Sequence, residues 1–380
     1  MKKRKNDAIE GPGKGLAGIA FVGAFWTFLA MASQSFFQIV SLIILARLLA
    51  PSEFGLFVVA MAVFGFCGIF SQLGVGPAIV QRKTLEERHI RVGFTLSLLL
   101  SFLVAALVWF GAPAFSAAFK MPELVSVLRA GCLVLVFQGA STVALSMAQR
   151  NLRFQFLSGI DAGAFAVGFL IVGTLLAWLG FGVWALVGAH LTQHLLRTTF
   201  LLSGQAHAKR PLIDGATAAQ LLYFGAGFSI ARIGNYLASQ SDKLVVGRML
   251  GAQALGVYGY AYQFMNASAV LVGRVLDRVL FPTMALVQLE PKRLTRAYRN
   301  GAAACALVIL PASGVLSLVT PEVVLVLLGS RWLDAVEPLR ILALSMVFRS
   351  SYKISDSVAR ATGAVYRRAW RQWIFALAIV

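Results

Sequence analysis

Runs of apolar residues follow one another along this chain, separated by short polar stretches, and each run is long enough to be a membrane-crossing helix. A crossing needs about 20 residues for a hydrocarbon layer of about 30 Å. The runs fall at residues 16–46, 54–79, 92–118, 124–148, 154–179 and 182–202, then at 216–243, 255–282, 300–320 and 336–359. An eleventh begins at Trp373 and reaches Val380 after eight residues. This pattern predicts an all-α polytopic membrane protein. Residues 1–15 form a basic N-terminus, 16–202 a six-helix lobe, 203–215 an inter-lobe loop, and 216–380 a second lobe of four helices plus the start of a fifth.

Two stretches of the pattern occur twice. R-L-L-A-P-S-E-F-G-L-F-V from Arg47 returns as R-M-L-G-A-Q-A-L-G-V-Y-G from Arg248, 201 positions later. R-A-G-C-L-V-L-V-F-Q from Arg129 is echoed by R-I-L-A-L-S-M-V-F-R from Arg340, at an offset of 211. Two echoes in the same order predict a duplicated unit and two six-helix lobes around a central cavity. The second lobe has fewer segments than the first, so a longer natural protein is expected. In membrane chains, internal repeats point to a transporter with its path between them.

Composition agrees with a membrane chain: 59% of the residues are hydrophobic and 13% charged, against about 25% charged in soluble domains. The net charge of +19 could suggest nucleic acid, but its placement argues against such a partner. Alternating the segments from a cytoplasmic N-terminus places 21 Lys/Arg in inside loops. Only Arg47, Lys120, Arg248 and Arg331 fall outside. That asymmetry is the positive-inside signature.

Nine cations remain within the segments: Arg129, Arg197, Arg232, Lys243, Arg274, Arg278, Arg340, Arg349 and Lys353. Arg197, Arg274, Arg278 and Arg340 lie near segment ends, where snorkelling to the headgroups is the expected role. Arg232, Arg349 and Lys353 have apolar residues on both sides and are expected in a bundle interior or a wet cavity. Ser229, Arg232, Tyr236, Ser239 and Lys243 share one helical face, as do Arg349, Lys353, Asp356 and Arg360. Under the repeat offsets Gln34 and Gln38 fall on Asn235 and Ser239, while Gln138 and Thr142 fall on Arg349 and Lys353. Both halves thus carry a polar stripe, neutral in the first and charged in the second. The carboxylates Asp161, Asp242, Asp277 and Asp356 are expected in internal ion pairs, with Asp242 and Asp356 also candidates for ion coupling.

Catalytic chemistry is sparse. Cys67, Cys132 and Cys305 are isolated in apolar runs and form no metal pattern. His190 and His194 share a helix face, but the residues between them are L-T-Q, so this is not a metalloprotease helix. The chain has no Walker phosphate loop. These residues predict neither an enzyme nor a cofactor.

The exit of the second segment, Q-L-G-V-G-P-A-I-V-Q-R from Gln72, the R-L-L-A-P-S-E-F-G-L-F stretch and S-D-K-L-V-V-G-R-M-L-G-A-Q-A-L-G-V-Y-G-Y-A from Ser241 carry a family resemblance. The chain resembles the polysaccharide-biosynthesis flippases, the O-antigen and exopolysaccharide repeat-unit exporters of the multidrug/oligosaccharidyl-lipid/polysaccharide superfamily. The resemblance implies a V-shaped bundle of two lobes in the bacterial inner membrane. It implies an undecaprenyl-pyrophosphate-linked oligosaccharide as substrate, moved between leaflets by alternating access, with a polysaccharide polymerase and chain-length machinery as further partners. On that reading Arg232, Lys243, Arg349 and Lys353 would hold pyrophosphate, and Gln34, Gln38, Gln138, Asn235 and Ser239 would meet sugar hydroxyls. A multidrug or cation antiporter and a lipid II flippase of the same superfamily are the alternatives. A membrane glycosyltransferase or polymerase is a more distant one.

Overall fold

Long apolar segments become helices because hydrocarbon offers a backbone N–H or C=O no partner outside its own segment. A computed structural model describes residues 33–82, 84–205, 208, 210–286 and 290–361. The side chains of residues 231, 267–286, 291, 349–354 and 356–361 lie outside that description. So do the basic N-terminus, Lys83, Lys209 and the segment beginning at Trp373.

The described residues form helices α1 (Ser33–Leu48), α2 (Pro51–Gln72), α3 (Val75–Gln81), α4 (Glu87–Phe119), α5 (Leu124–Gly131) and α6 (Leu133–Arg150). There follow α7 (Phe154–Phe165), a π-helical stretch Ala166–Gly173, α8 (Thr174–Trp178), α9 (Val183–Gly204) and α10 (Gly215–Leu286). The second half closes with α11 (Pro291–Leu318), α12 (Thr320–Leu327), a 3-10 turn Ser330–Ala335 and α13 (Val336–Ala361). Helical structure covers all ten expected segments as far as they are described. Among the described residues, five stretches are each long and apolar enough to cross a membrane: Pro51–Gln72, Glu87–Phe119, Leu124–Arg150, Phe154–Trp178 and Lys292–Leu318.

Local signals explain the boundaries. Pro51 opens α2, where its missing N–H costs nothing, and Glu53 Oε2 accepts the Ala50 N–H at 2.7 Å. The carboxylate also sits at the positive end of the helix dipole. The expected segment 54–79 is split between α2 and α3, because Leu73 and Gly74 take left-handed backbone angles. The 72-residue α10 contains two expected segments and bends at Gly251, whose φ of 84° and ψ of −176° break the helix.

One buried cluster joins the two halves. Leu42 and Leu45 of α1, Leu49 just after it and Phe54 of α2 pack with Tyr260 and Met265 of α10, Val324 of α12, Trp332 of the 3-10 turn and Leu339 of α13. Here each half satisfies the other's helix end. The last four carbonyls of an α-helix have no partner within it. Trp332 Nε1 donates to the Ala46 carbonyl at the end of α1 at 2.7 Å. Arg47 in return donates from Nε to Leu327 O at 3.1 Å and from a terminal nitrogen to Val326 O, the last carbonyls of α12. Trp332 is fully buried, edge-on to Phe54 at 5.4 Å. Trp332→Phe keeps most of the volume but strands the Ala46 carbonyl. It should cost about 1–2 kcal/mol, read as a fall of a few degrees in the unfolding midpoint of purified protein.

The closest approach lies beside this cluster, where α2 meets α10 just past the Gly251 bend. A methyl group on Gly55 would overlap the Ala252 carbonyl, and one on Gly256 would overlap the Pro51 carbonyl. The two contacts are related to each other by the 201-residue offset seen in the sequence. Without a hydrophobic drive between helices in lipid, association relies on such backbone-to-backbone approach.

Candidate functional site: a cavity between the halves

Beside that seam, α1, α2, the α7–π segment, α9 and both arms of α10 line a partly open cavity of about 240 Å³. Its aromatic wall is Phe54, Phe57, Phe165, Phe169, Tyr236 and Tyr262. Its polar groups are Ser41, Gln240, Lys243, Gln263 and Asn266. Lys243 is the cation among these lining residues. Its Nζ lies 4.2 Å from the centre of the Tyr262 ring and donates to Gln240 Oε1 at 2.7 Å. A cation over a ring face is held by the ring quadrupole, so Lys243 is positioned towards the aromatic wall. Tyr236 fixes the same wall by donating its hydroxyl to the Ala62 carbonyl of α2 at 2.8 Å.

The sequence candidates whose side chains are described can be placed on this frame. Lys243 and Tyr236 line the cavity. Two turns or more from Lys243, Arg232 is exposed and donates to Gln72 Oε1 at 3.2 Å. Asn235 and Ser239 are exposed and do not line the cavity; the Ser239 hydroxyl donates to the Tyr236 carbonyl of its own helix. Gln34 and Gln38 are half-buried on α1, before the cavity residues Ser41 and Leu42. Gln138 is half-buried on α6, and its carbonyl accepts the Thr142 hydroxyl at 2.8 Å. Asp242 accepts the Tyr258 hydroxyl at 2.7 Å and the Lys243 backbone N–H at 2.9 Å. Arg349, Lys353 and Asp356 lie on α13, and their side chains are outside the described residues.

One expectation is corrected. Arg197 does not snorkel: its Nε pairs with Asp161 Oδ1 of α7 at 2.7 Å, with both side chains more than half buried. The two residues are 36 positions apart, so no helical spacing could pair them. A partner on a neighbouring helix offsets more of the desolvation than headgroups two turns away would.

The amides Gln240, Gln263 and Asn266 escaped the sequence reading. Gln240 lies four residues after Tyr236 and three before Lys243, on the same face as both. Gln263 and Asn266 are polar groups within an apolar segment, which is itself a signal of an interior position.

The apolar helices and the cavity among them define a multi-pass helical membrane protein. Residues 44–337 match a family model described as polysaccharide biosynthesis protein, and the chain belongs to that family. Among curated relatives, the chain is 27% identical to the succinoglycan biosynthesis transport protein ExoT of Rhizobium meliloti over 320 residues, covering 84% of this chain and 65% of the relative. It is 25% identical to the lipopolysaccharide biosynthesis protein WzxC of Escherichia coli, over 86% of this chain and 67% of that one. The chain thus spans about two thirds of the length of these relatives. In fold it is similar to the lipid II flippase MurJ in an inward closed conformation. That match has a TM-score of 0.75 at 12% identity, over 94% of this chain and 79% of the other. A multidrug resistance MATE family transporter in an inward-facing conformation gives a TM-score of 0.67 at 16% identity, over 91% and 84%.

Proposed function

We propose that this protein moves a polyprenyl-pyrophosphate-linked oligosaccharide from the cytoplasmic to the outer leaflet of a bacterial inner membrane, by alternating access and without covalent chemistry. The observation that carries the reading is the lining of the cavity. Six aromatic rings, three amides and one lysine suit a sugar chain, whose C–H faces lie on rings while its hydroxyls bond amides. No carboxylate lines the cavity among the described residues, which counts against cationic drugs as cargo. The relatives act in polysaccharide biosynthesis by name, and the charge placement supports a cytoplasmic N-terminus. The reciprocal contacts at Gly55 and Gly256 support two duplicated lobes; Arg232, Arg349 and Lys353 remain sequence candidates for pyrophosphate binding in this proposal. A polysaccharide polymerase would take the delivered unit.

Depletion of the protein in its host should leave the lipid-linked repeat unit in the inner leaflet and remove the surface polymer. Isotope labelling of the lipid fraction, with an impermeant glycosidase acting on spheroplasts, reads the leaflet directly. Units that still reach the outer leaflet at the normal rate would refute the reading.

A further inference from the structure

The first half holds a second group of ionisable side chains, apart from Lys243. His190 and His194 stand one turn apart on α9, with ring centroids 4.5 Å apart and planes at 76°. The His190 ring meets Phe57 at 6.0 Å and Phe169 at 6.5 Å, and both phenylalanines line the cavity. On the next turn Arg197 holds Asp161 of α7. Other charged groups on the helices packed against α9 are engaged elsewhere. Glu53 of α2 lies against Gly182, before the first turn of α9. Arg129 of α5 lies over Trp109, Arg150 of α6 bonds the Ile79, Val80 and Arg82 carbonyls, and Arg153 of α7 bonds Gly204 and Gln205. Asp161 and Arg197 are therefore the charged groups nearest the pair along α7 and α9, and Lys243 of α10 lines the cavity that Phe57 and Phe169 share.

The neighbouring backbone is unusual. The stretch Ala166–Gly173, which packs along α9, is π-helical. Such turns are rare, and they concentrate at functional sites because one extra residue per turn is held in place only by its surroundings. Phe169 lies within the stretch and stacks on Phe165 at 4.8 Å. If the π turn relaxed to α geometry, residues beyond it would rotate by roughly 100° and shift by about 1.5 Å relative to those before it.

We infer that the His190–His194 pair is a proton-binding site that sets the shape of the cavity wall through Phe169. Two imidazoles in contact can take up one proton between them. A second would place like charges about one ring diameter apart in a low-dielectric interior. The proton arrives from water and adds one positive charge beside the Asp161–Arg197 pair. The Asp161 carboxylate is then drawn towards the rings, and α7 carries that pull into the π stretch. The purpose of the device rests on the transport reading above; its existence does not.

The chain has four histidines, so an imidazole titration can be followed ring by ring. Full-length protein with ¹³C,¹⁵N-histidine and a fluorophenylalanine at position 169, in lipid nanodiscs, is titrated between about pH 4 and pH 8. Two imidazole signals should move with one shared midpoint, and the fluorine signal should follow the same midpoint. His190→Gln should shift the His194 midpoint by a unit or more and should freeze the fluorine signal. Independent midpoints, no titration, or a fluorine signal indifferent to pH would each overturn the inference. If the substituted protein does not fold, the unsubstituted one still decides: one proton shared by the pair moves each ring through only part of the full protonation shift, whereas two independent sites each show the whole shift. Neither readout needs a substrate, so failure here leaves the transport reading standing, and failure of export would leave the titration intact.

Discussion

Gly55→Ala should destabilise the protein by about 2–3 kcal/mol and reduce export by tenfold or more at matched membrane levels. The added methyl would occupy the space of the Ala252 carbonyl, and a backbone oxygen cannot rotate aside as a side chain can. The only relief is to move α2 away from α10, which opens the cluster around Phe54, Tyr260 and Trp332. Gly256→Ala meets the Pro51 carbonyl in the same way, so the two substitutions should cost nearly equal amounts. Gly314→Ala is the matched control, because a methyl there meets nothing within 4 Å. That change should be neutral or stabilising by up to about 1 kcal/mol, the gain in helix propensity. Unfolding midpoints of the three purified variants, with polymer export in cells, check all of this. Tolerance of alanine at Gly55 or Gly256 would mean that the seam is looser than its geometry.

Lys243→Met should lower transport by at least tenfold while leaving the unfolding midpoint close to that of the unsubstituted protein. The methionine keeps an unbranched apolar stem against Tyr262 and loses the charge, with its hold on the ring face, and the bond to Gln240. In a cavity walled by rings the ammonium is poorly screened, so its attraction for a phosphate or an acidic sugar exceeds that of a surface lysine. Lys243→Arg should restore part of the rate, since a guanidinium also lies flat on a ring and binds phosphate. Equal transport by Lys243→Met would show that the anion is held elsewhere on the path.

Much of the fold was legible because hydrocarbon simplifies the choice: a long apolar run has no alternative to a helix. The π stretch was not legible, since A-V-G-F-L-I-V-G is apolar throughout and carries no polar residue whose spacing could reveal a change of turn. The bend in α10 was hidden for another reason. Gly251 stands between two expected segments, where a loop was expected, yet the helices on either side meet there with one residue between them. The cavity was half legible. Lys243 and Tyr236 followed from helical steps of three and four, but those steps run equally well through Ser239 or Gln240. Packing against α2 selects Gln240, and no single-helix pattern contains that information. Contacts across the halves, such as Trp332 with Ala46 over 286 positions, depend on how distant helices pack against each other. The sequence echoes carry no information on where the halves touch.

The most direct test of the central claim is leaflet exchange in a defined membrane. The purified protein is reconstituted in liposomes with a synthetic polyprenyl-pyrophosphate disaccharide, and an impermeant glycosidase outside reports the fraction in the outer leaflet over time. The cavity account predicts that the protein speeds exposure of the inner pool well beyond protein-free liposomes, and that Lys243→Met removes most of the gain. An inner pool that stays protected with the unsubstituted protein would contradict it.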